Sequence, residues 1–455
     1  MQTSIYQDFR LRSIWNLIWP QMVSMYCVVA TGITAVWTAG HINSDTQAAL
    51  GMVNQCSLFL MVIIMAFSSG ATAAVSQSLG ADKTTRAQHY IFVTIAASAV
   101  IGLVIAGIGY RHGRFLLTLL QVPEAILPLA EAMWDISMLA LPAQHIYAAT
   151  SVIFRSTRMV LPQLWIGLAI NAINVVLCLG LGLGFFGMPN LGYVGLLVAT
   201  IVAQSAGALL NCLVLILSNF FHPTQIPSLR WIVRGLPYLI RVAVPAGLAS
   251  FVWQTGYLFL FVLVASLPTE GVTALAGLTA GLRIESLLFL PGMAVNTSLA
   301  VLVGNCLGAG MKDKARSLSF RITIITTLAL SVVALIIWPF REHIAQEFSP
   351  DPATQAQIIN YLTYNLISTP FSIASTVMGG VMVGAGATHF NLLVYGGCSW
   401  LIRLPVGYLL GHILHYNAEG IFCAMLISQC IQATLMVFVI QYANWTKYTL
   451  KKHHP

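Results

Sequence analysis

Ser76-Gln77-Ser78-Leu79-Gly80-Ala81 returns about 228 residues later as Gly304-Asn305-Cys306-Leu307-Gly308-Ala309, each time where a long apolar run gives way to charge. Other marks keep nearly the same offset: Trp19-Pro20 against Val244-Pro245, Pro142 against Pro370, and Gly195, Ala199 and Gln204 against Gly420, Ala424 and Gln429. Landmarks repeated in one order mean that the chain carries one structural unit twice. Composition says what kind of unit. Hydrophobic residues make up 58% of the 455 residues and charged ones 7%, against roughly a quarter charged in a soluble domain. Such a chain is solvated mainly by lipid.

Runs of about 20 apolar residues cross a bilayer as helices. Twelve are predicted, six to each copy: 13–37, 47–76, 88–110, 126–153, 161–184 and 192–218, then 236–266, 272–304, 317–339, 356–382, 388–412 and 418–443. The expected fold is therefore an all-α membrane protein of two six-helix lobes, 1–218 and 236–455, joined by a polar cytoplasmic linker, 219–235, that contains His222-Pro223 and Pro227. An even number of spans per copy makes the repeats parallel, related by a pseudo-two-fold axis along the membrane normal. Sixteen lysines and arginines, from Arg10 and Arg12 through Lys83, Arg155, Arg230 and Lys312 to Lys452, fall on one side, and only Arg111, Arg114 and Arg341 on the other. The lopsided count places both termini in the cytoplasm. It also accounts for the net charge of +8, which then gives no support to a nucleic-acid partner.

The N-terminal segment with Arg10 and Arg12 reads as a retained first span, since no small-residue cleavage site follows it. The eight cysteines lie in or at the edges of spans without metal-ligand spacing, and read as packing residues. No catalytic constellation stands out among the scattered histidines, so an enzyme is not expected. Nor is any cofactor. The expected partners are a small-molecule substrate and the bilayer, with the chain acting as a monomer.

Ionisable groups inside spans are expensive and hence functional candidates. They are Glu131, Asp135, Arg283, Glu285 and Arg403. Glu285 lies roughly 20 Å into the eighth span by helical rise, near mid-bilayer. Arg283, two residues away, points to nearly the opposite face. That leaves two readings for Glu285, a structural ion pair with Arg403 or a cation site. Asp135 and Glu131, four apart, share a face near the outer end of the fourth span, and Asn171 and Asn174 share a face of the fifth. Gln21, Gln254 and Ser372 are further polar interruptions. Met25, Tyr257 and Met293 could offer a pliable surface to flat cations. Together these residues form the candidate substrate cavity.

A proline in the first span, Leu-Gly-Ala after the second and eighth spans, and two six-helix lobes resemble the multidrug and toxic-compound extrusion (MATE) transporters over essentially the whole chain. Arg283-Ile284-Glu285 followed by Pro291 is similar to a pattern of prokaryotic members. The resemblance implies an antiporter of a bacterial inner membrane that exports organic, cationic or amphipathic compounds by alternating access, driven by sodium or protons. It also implies a cation site in the first lobe, where many members carry an Asp a few residues before a Gly. Here that position is Ala35, next to Thr34. Two partners of the site, Asn174 in the fifth span and Thr200 in the sixth, match the family, and a second acid aligns with Cys178. In the other lobe, acids of certain members align with Gln254 and Ser372. Glu285 is then the remaining candidate for cation coupling. The alternative within transport is a lipid or polysaccharide-lipid flippase, which needs arginines lining the cavity.

Overall fold

The structure is a computed structural model and describes residue 6 and residues 8–119, 122–223, 226–268 and 270–450. Among these residues twelve helices are long and apolar enough to cross a membrane: α1 Leu11–Ile42, α2 Ser44–Gly80, α3 Thr84–Leu119, α4 Leu127–Ser156, α5 Val160–Leu183, α6 Tyr193–Leu217, α7 Leu229–Ala265, α8 Gly271–Gly308, α9 Lys312–Phe348, α10 Pro352–Ala385, α11 His389–Ile413 and α12 Asn417–Tyr442. Each corresponds to one expected span, and several run on past it. One difference changes an assignment: α7 begins at Leu229, inside the stretch read as linker. Trp231 is the physical reason: it is buried edge-on against His89 and Tyr90, at 4.8 and 4.9 Å between ring centroids, so this amphipathic turn has apolar surface to cover.

The chain divides into two compact units, residues 8–240 and 241–450. Within the first, α2 packs on α3 and α4, α4 on α3 and α6, and α5 on α1 and α6. In the second, α8 packs on α9 and α10, α10 on α9 and α12, and α11 on α12. Five of the six pairings recur in the same order.

The repeated Leu-Gly-Ala motif turns out to be a helix end. In the first copy Lys83 N–H bonds to Ser78 O at 3.0 Å and Asp82 N–H to Leu79 O at 3.0 Å; in the second, Met311 N–H bonds to Cys306 O at 2.9 Å and Gly310 N–H to Leu307 O at 3.0 Å. Both close through a left-handed residue, Asp82 at φ 56° and Gly310 at φ 79°. This double closure satisfies the orphan carbonyls of α2 and α8. The ends of α4 and α10 repeat it through Arg158 and Gly386. Helix starts are also specified locally. The Asn43 side chain accepts from Thr46 N–H at 2.7 Å to begin α2, and Asp351 accepts from Thr354 N–H at 2.9 Å, ahead of Pro352, to begin α10.

The exterior departs from a soluble protein's pattern. Leu209, Leu217, Leu335 and Leu401 are exposed, as lipid-facing residues are, while Ser76, Gln77, Asn211, Asn305, Ser375 and Arg403 are buried. Without water to drive helices together, close approach must come from small residues. In the second unit α8 presents Gly277 and Gly281, and α10 presents Gly380 and Gly384. A Cβ at Gly380 or Gly384 would overlap the carbonyl oxygens of Asn296 or Ala300; at Gly277 or Gly281 it would overlap Gln357 or the Tyr361 ring. The two backbones therefore touch where they cross. G380V should force them apart and cost about 1–3 kcal/mol, measured as a lower apparent unfolding temperature of the detergent-solubilised protein, while G397V, where a Cβ meets nothing nearby, should cost much less.

Candidate functional site

Gly281 and Glu285 are one helical turn apart on α8. Because Gly281 has no side chain, the Tyr361 ring of α10 lies directly over it, and its hydroxyl donates to Glu285 Oε2. Asn365, one turn further along α10, lines the same pocket as the carboxyl. Phe422 of α12 meets Tyr361 edge-on at 5.3 Å. Glu285, Tyr361, Tyr364, Asn365, Ser368, Phe422, Met425 and Gln429 line a pocket of about 270 Å³ that includes its open mouth. Its enclosed part is narrow, with room for roughly one water or bare ion. At the rim Tyr364 Oη donates to Glu419 Oε1 at 2.8 Å. Gln429 is buried and its Oε1 has no hydrogen-bond partner.

Arg403 lies on α11. Its side chain is 1% exposed. Nε donates to Ser428 Oγ at 2.9 Å, and the guanidinium lies over the rings of Trp253 and Tyr257, 5.2 and 5.3 Å from their centroids. Neither terminal nitrogen has a hydrogen-bond partner. The hydrogen-bonded Glu285–Arg403 ion pair that the sequence suggests is thus absent; aromatic faces hold the guanidinium instead. Arg283 is exposed, in keeping with its placement on the other face of α8. Of the remaining second-unit candidates, Tyr257 and Met293 are half-buried, Gln254 is exposed, and Ser372 is buried with its hydroxyl turned back to Thr369 O at 3.1 Å. Neither Gln254 nor Ser372 lines the pocket.

In the first unit, Ala35 packs against a buried apolar cluster that contains Ala39, Cys178, Leu196, Leu197 and Ala199. Thr34 bonds to its own helix at Ala30 O, and Thr200 to Leu196 O. Asn174 is buried. Asn171 Oδ1 accepts from Thr31 Oγ1 at 3.0 Å, tying α5 to α1. Gln21 is buried and donates to Leu17 O at 2.8 Å, and Met25 is half-buried. Asp135 is half-buried. This unit brings Ala35, Cys178 and Ala199 together in an apolar cluster, with the Thr38 hydroxyl of the same helix as Ala35 also buried.

Comparison with known proteins gives the family. The MatE family model matches residues 20–179 and 245–409. The chain belongs to the MatE family. A probable multidrug resistance protein NorM of Thermotoga maritima is 24% identical over 442 residues, 96% of this chain and 93% of the relative. Among solved structures, the bent form of the Vibrio cholerae MATE transporter VcmN aligns with a TM-score of 0.88 at 20% identity over 96% of this chain and 98% of that one. An outward-facing multidrug resistance MATE transporter aligns at 0.89 and 15% identity, covering 98% of each chain. The chain is a multi-pass membrane transporter with the MATE fold.

Within that fold, the carboxyl-bearing pocket lies in the second unit, and Tyr361, Tyr364, Asn365 and Ser368, which line it with Glu285, carry no mark that the sequence analysis singles out. Tyr361, Tyr364, Asn365, Ser368 and Ser372 recur at spacings of three and four along α10, a polar stripe on a helix otherwise apolar on that face. That stripe was the available signal. Y361F keeps the ring over Gly281 but removes the donor to Glu285. It should destabilise the protein by about 1–2 kcal/mol, seen as an apparent unfolding temperature lower by a few degrees. An unchanged temperature would mean that the hydroxyl contributes nothing to the site.

Proposed function

We propose that this MATE protein is a cation-coupled antiporter, driven by protons or sodium, that exports organic, cationic or amphipathic compounds by alternating access. The observation that carries the reading is the Glu285 carboxyl in a narrow, open-mouthed pocket, held by Tyr361 and lined also by Asn365. A carboxyl so placed can take up a cation from one side and release it to the other. Trp253 and Tyr257 supply aromatic faces nearby, and the names of the relatives, NorM multidrug resistance proteins among them, support a substrate class of mixed organic compounds. The basic loops support a location in a bacterial inner membrane with both termini cytoplasmic and the chain working as a monomer, with lobes 1–218 and 236–455 as the moving parts.

On this reading Gln21, Met25, Asp135, Asn171, Gln254, Tyr257, Met293 and Ser372 contribute to the substrate path, and Glu285 carries the coupling. Asn174, Thr200 and Thr34 are the remnant of a first-lobe cation site that lacks its acid at Ala35. Neutral dipoles without a carboxylate hold a hard cation weakly. E285Q, which keeps an acceptor for Tyr361, should fold but reduce gradient-driven efflux of a lipophilic dye from proteoliposomes to the leak of protein-free vesicles. Normal gradient-driven efflux by that variant leaves Glu285 with a structural role only.

Ala35→Asp tests the other lobe. A carboxylate set among Cys178, Leu196 and Ala199 is poorly solvated, so the variant should lose about 1–3 kcal/mol above the carboxyl's pKa. Protonation removes the buried charge, so stability should return as the pH falls, or when sodium is added. Ion-dependent dye efflux should rise in parallel. Identical thermal and transport responses in the wild type and the variant would show that this position takes no part in coupling.

A further inference from the structure

The pocket that holds Glu285 has a polar floor, and the polarity continues beyond it. The lining residues furthest along the two helices from the Tyr364–Glu419 rim are Ser368 on α10 and Gln429 on α12. Past them Ser372, Ser375 and Gly379 follow on α10 at spacings of four, three and four, and Gln432 follows on α12 at a spacing of three, so the same helix faces carry on toward the inner end. α10 and α12 pack on one another, and across them Gln432 Nε2 donates to Ser375 Oγ. From α11, Tyr395 Oη donates to Ser375 O at 2.9 Å and Asn391 Nδ2 to Gly379 O at 3.0 Å. From Ser368 to Gly379 the stripe runs about 16 Å along α10. It stops short of the Gly386 turn, at the end of the second unit that the basic loops assign to the cytoplasm.

The amides on this stripe are left with free oxygens. Gln429, Gln432 and Asn391 are each more than nine-tenths buried, and Gln429 Oε1, Gln432 Oε1 and Asn391 Oδ1 have no hydrogen-bond partner. Asn391 is fixed in orientation, because turned about its oxygen would face the Gly379 carbonyl. Turning Gln432 only exchanges an unpartnered oxygen for an unpartnered nitrogen. Side chains that serve solely to join helices would be finished once their N–H bonds were made. Three buried acceptors left over along one seam are what buried water bonds to.

Resting on the coupling reading above, we propose that the inner half of the proton's route lies inside the second unit, as a water-lined seam between α10 and α12 that leads from Glu285 past Gln429, Gln432 and Ser375 to Asn391. The rim at Tyr364 and Glu419 serves the outer side, and the Gln432–Ser375 bond closes the seam on the inner side. When that bond opens, the Glu285 carboxyl O–H breaks and its proton forms an O–H bond on a water held by the amide oxygens. Each water passes one proton on, and a carboxylate remains at Glu285. The amides accept hydrogen bonds and align the water without carrying charge. No side chain named on the seam is charged, and neutral oxygens alone hold a hard cation weakly, so the seam suits protons and not sodium. At its inner end stands His389, half-buried, with its ring on Tyr448 at 4.4 Å.

The test compares the full-length wild type, Q432M and N391L with T326V, whose buried hydroxyl bonds to Ile322 O of its own helix, α9, which does not line the seam. Ethidium efflux from proteoliposomes is measured under an imposed pH gradient or an imposed sodium gradient, in H2O and in D2O, together with ethidium affinity and apparent unfolding temperature. Q432M and N391L should keep the wild-type affinity and lose about tenfold in efflux driven by the pH gradient, with a larger slowing in D2O than the wild type shows. T326V should match the wild type. Wild-type rates in the folded seam variants overturn the inference while leaving antiport intact, as does efflux that a sodium gradient drives and a pH gradient does not. Slower efflux with an unchanged isotope effect gives the two amides a packing role and overturns it as well. If ethidium moves under neither gradient, the transport reading fails. In that case, or if neither seam variant folds, an experimental structure of the wild type at a resolution that shows water decides the seam: water bonded to Gln432 Oε1 and Asn391 Oδ1 supports it, and both oxygens packed against carbon overturn it.

Discussion

The crossing of α8 over α10 is the contact on which the second unit depends. Four glycines, Gly277, Gly281, Gly380 and Gly384, bring the two backbones together, and in a lipid solvent this van der Waals contact must do what the hydrophobic effect does in water. The consequence is positional. With no Cβ at Gly281 the Tyr361 ring can lie on α8, and only from there does its hydroxyl reach Glu285. Packing and chemistry are thus one feature: a shift in the crossing that relieved the glycine contacts would also withdraw the tyrosine from the carboxylate.

The two units share most of their helix pairings and close their helices with the same turns, yet they differ in what they enclose. The first fills the neighbourhood of Ala35 with Cys178, Leu196, Leu197 and Ala199. The second sets the Tyr361 hydroxyl on the Glu285 carboxyl and lays the Arg403 guanidinium over the Tyr257 ring. Charge within a lipid-spanning helix is costly, and of the two frames it is the second that holds a carboxyl in the pocket, at Glu285. The acid positions that the family resemblance pointed to, Ala35, Cys178, Gln254 and Ser372, hold no carboxylate here, and the acid has a different address, on α8.

Much of this was legible in the sequence because it follows from strong, local signals. Apolar run length found all twelve spans, and the repeated Leu-Gly-Ala marked two helix ends that close identically. The start of α7 was less legible, since the arginines and prolines around it resemble a linker, and only the burial of Trp231 against α3 explains the helix. Glu285 was readable as an acid deep in a span. Its pocket neighbours were not, because Tyr361 and Asn365 lie some 80 positions away in the chain and reach it only through the glycine crossing. Arg403 was named as an ion-pair partner, but its aromatic cradle brings together α7 and α11, which no local pattern announces. The π-helical winding of α11 through 398–403, a common accompaniment of functional positions, likewise has no simple mark in the sequence.

The central claim is that Glu285 changes its occupancy during transport while Tyr361 holds it. Infrared difference spectroscopy of the reconstituted protein, recorded on substrate addition at fixed pH, reads this most directly through the carboxyl C=O stretch. The account predicts a carboxyl band that changes with substrate, is absent in E285Q, and shifts in frequency in Y361F. A difference spectrum with no carboxyl band, or a band that survives unchanged in E285Q, would contradict it.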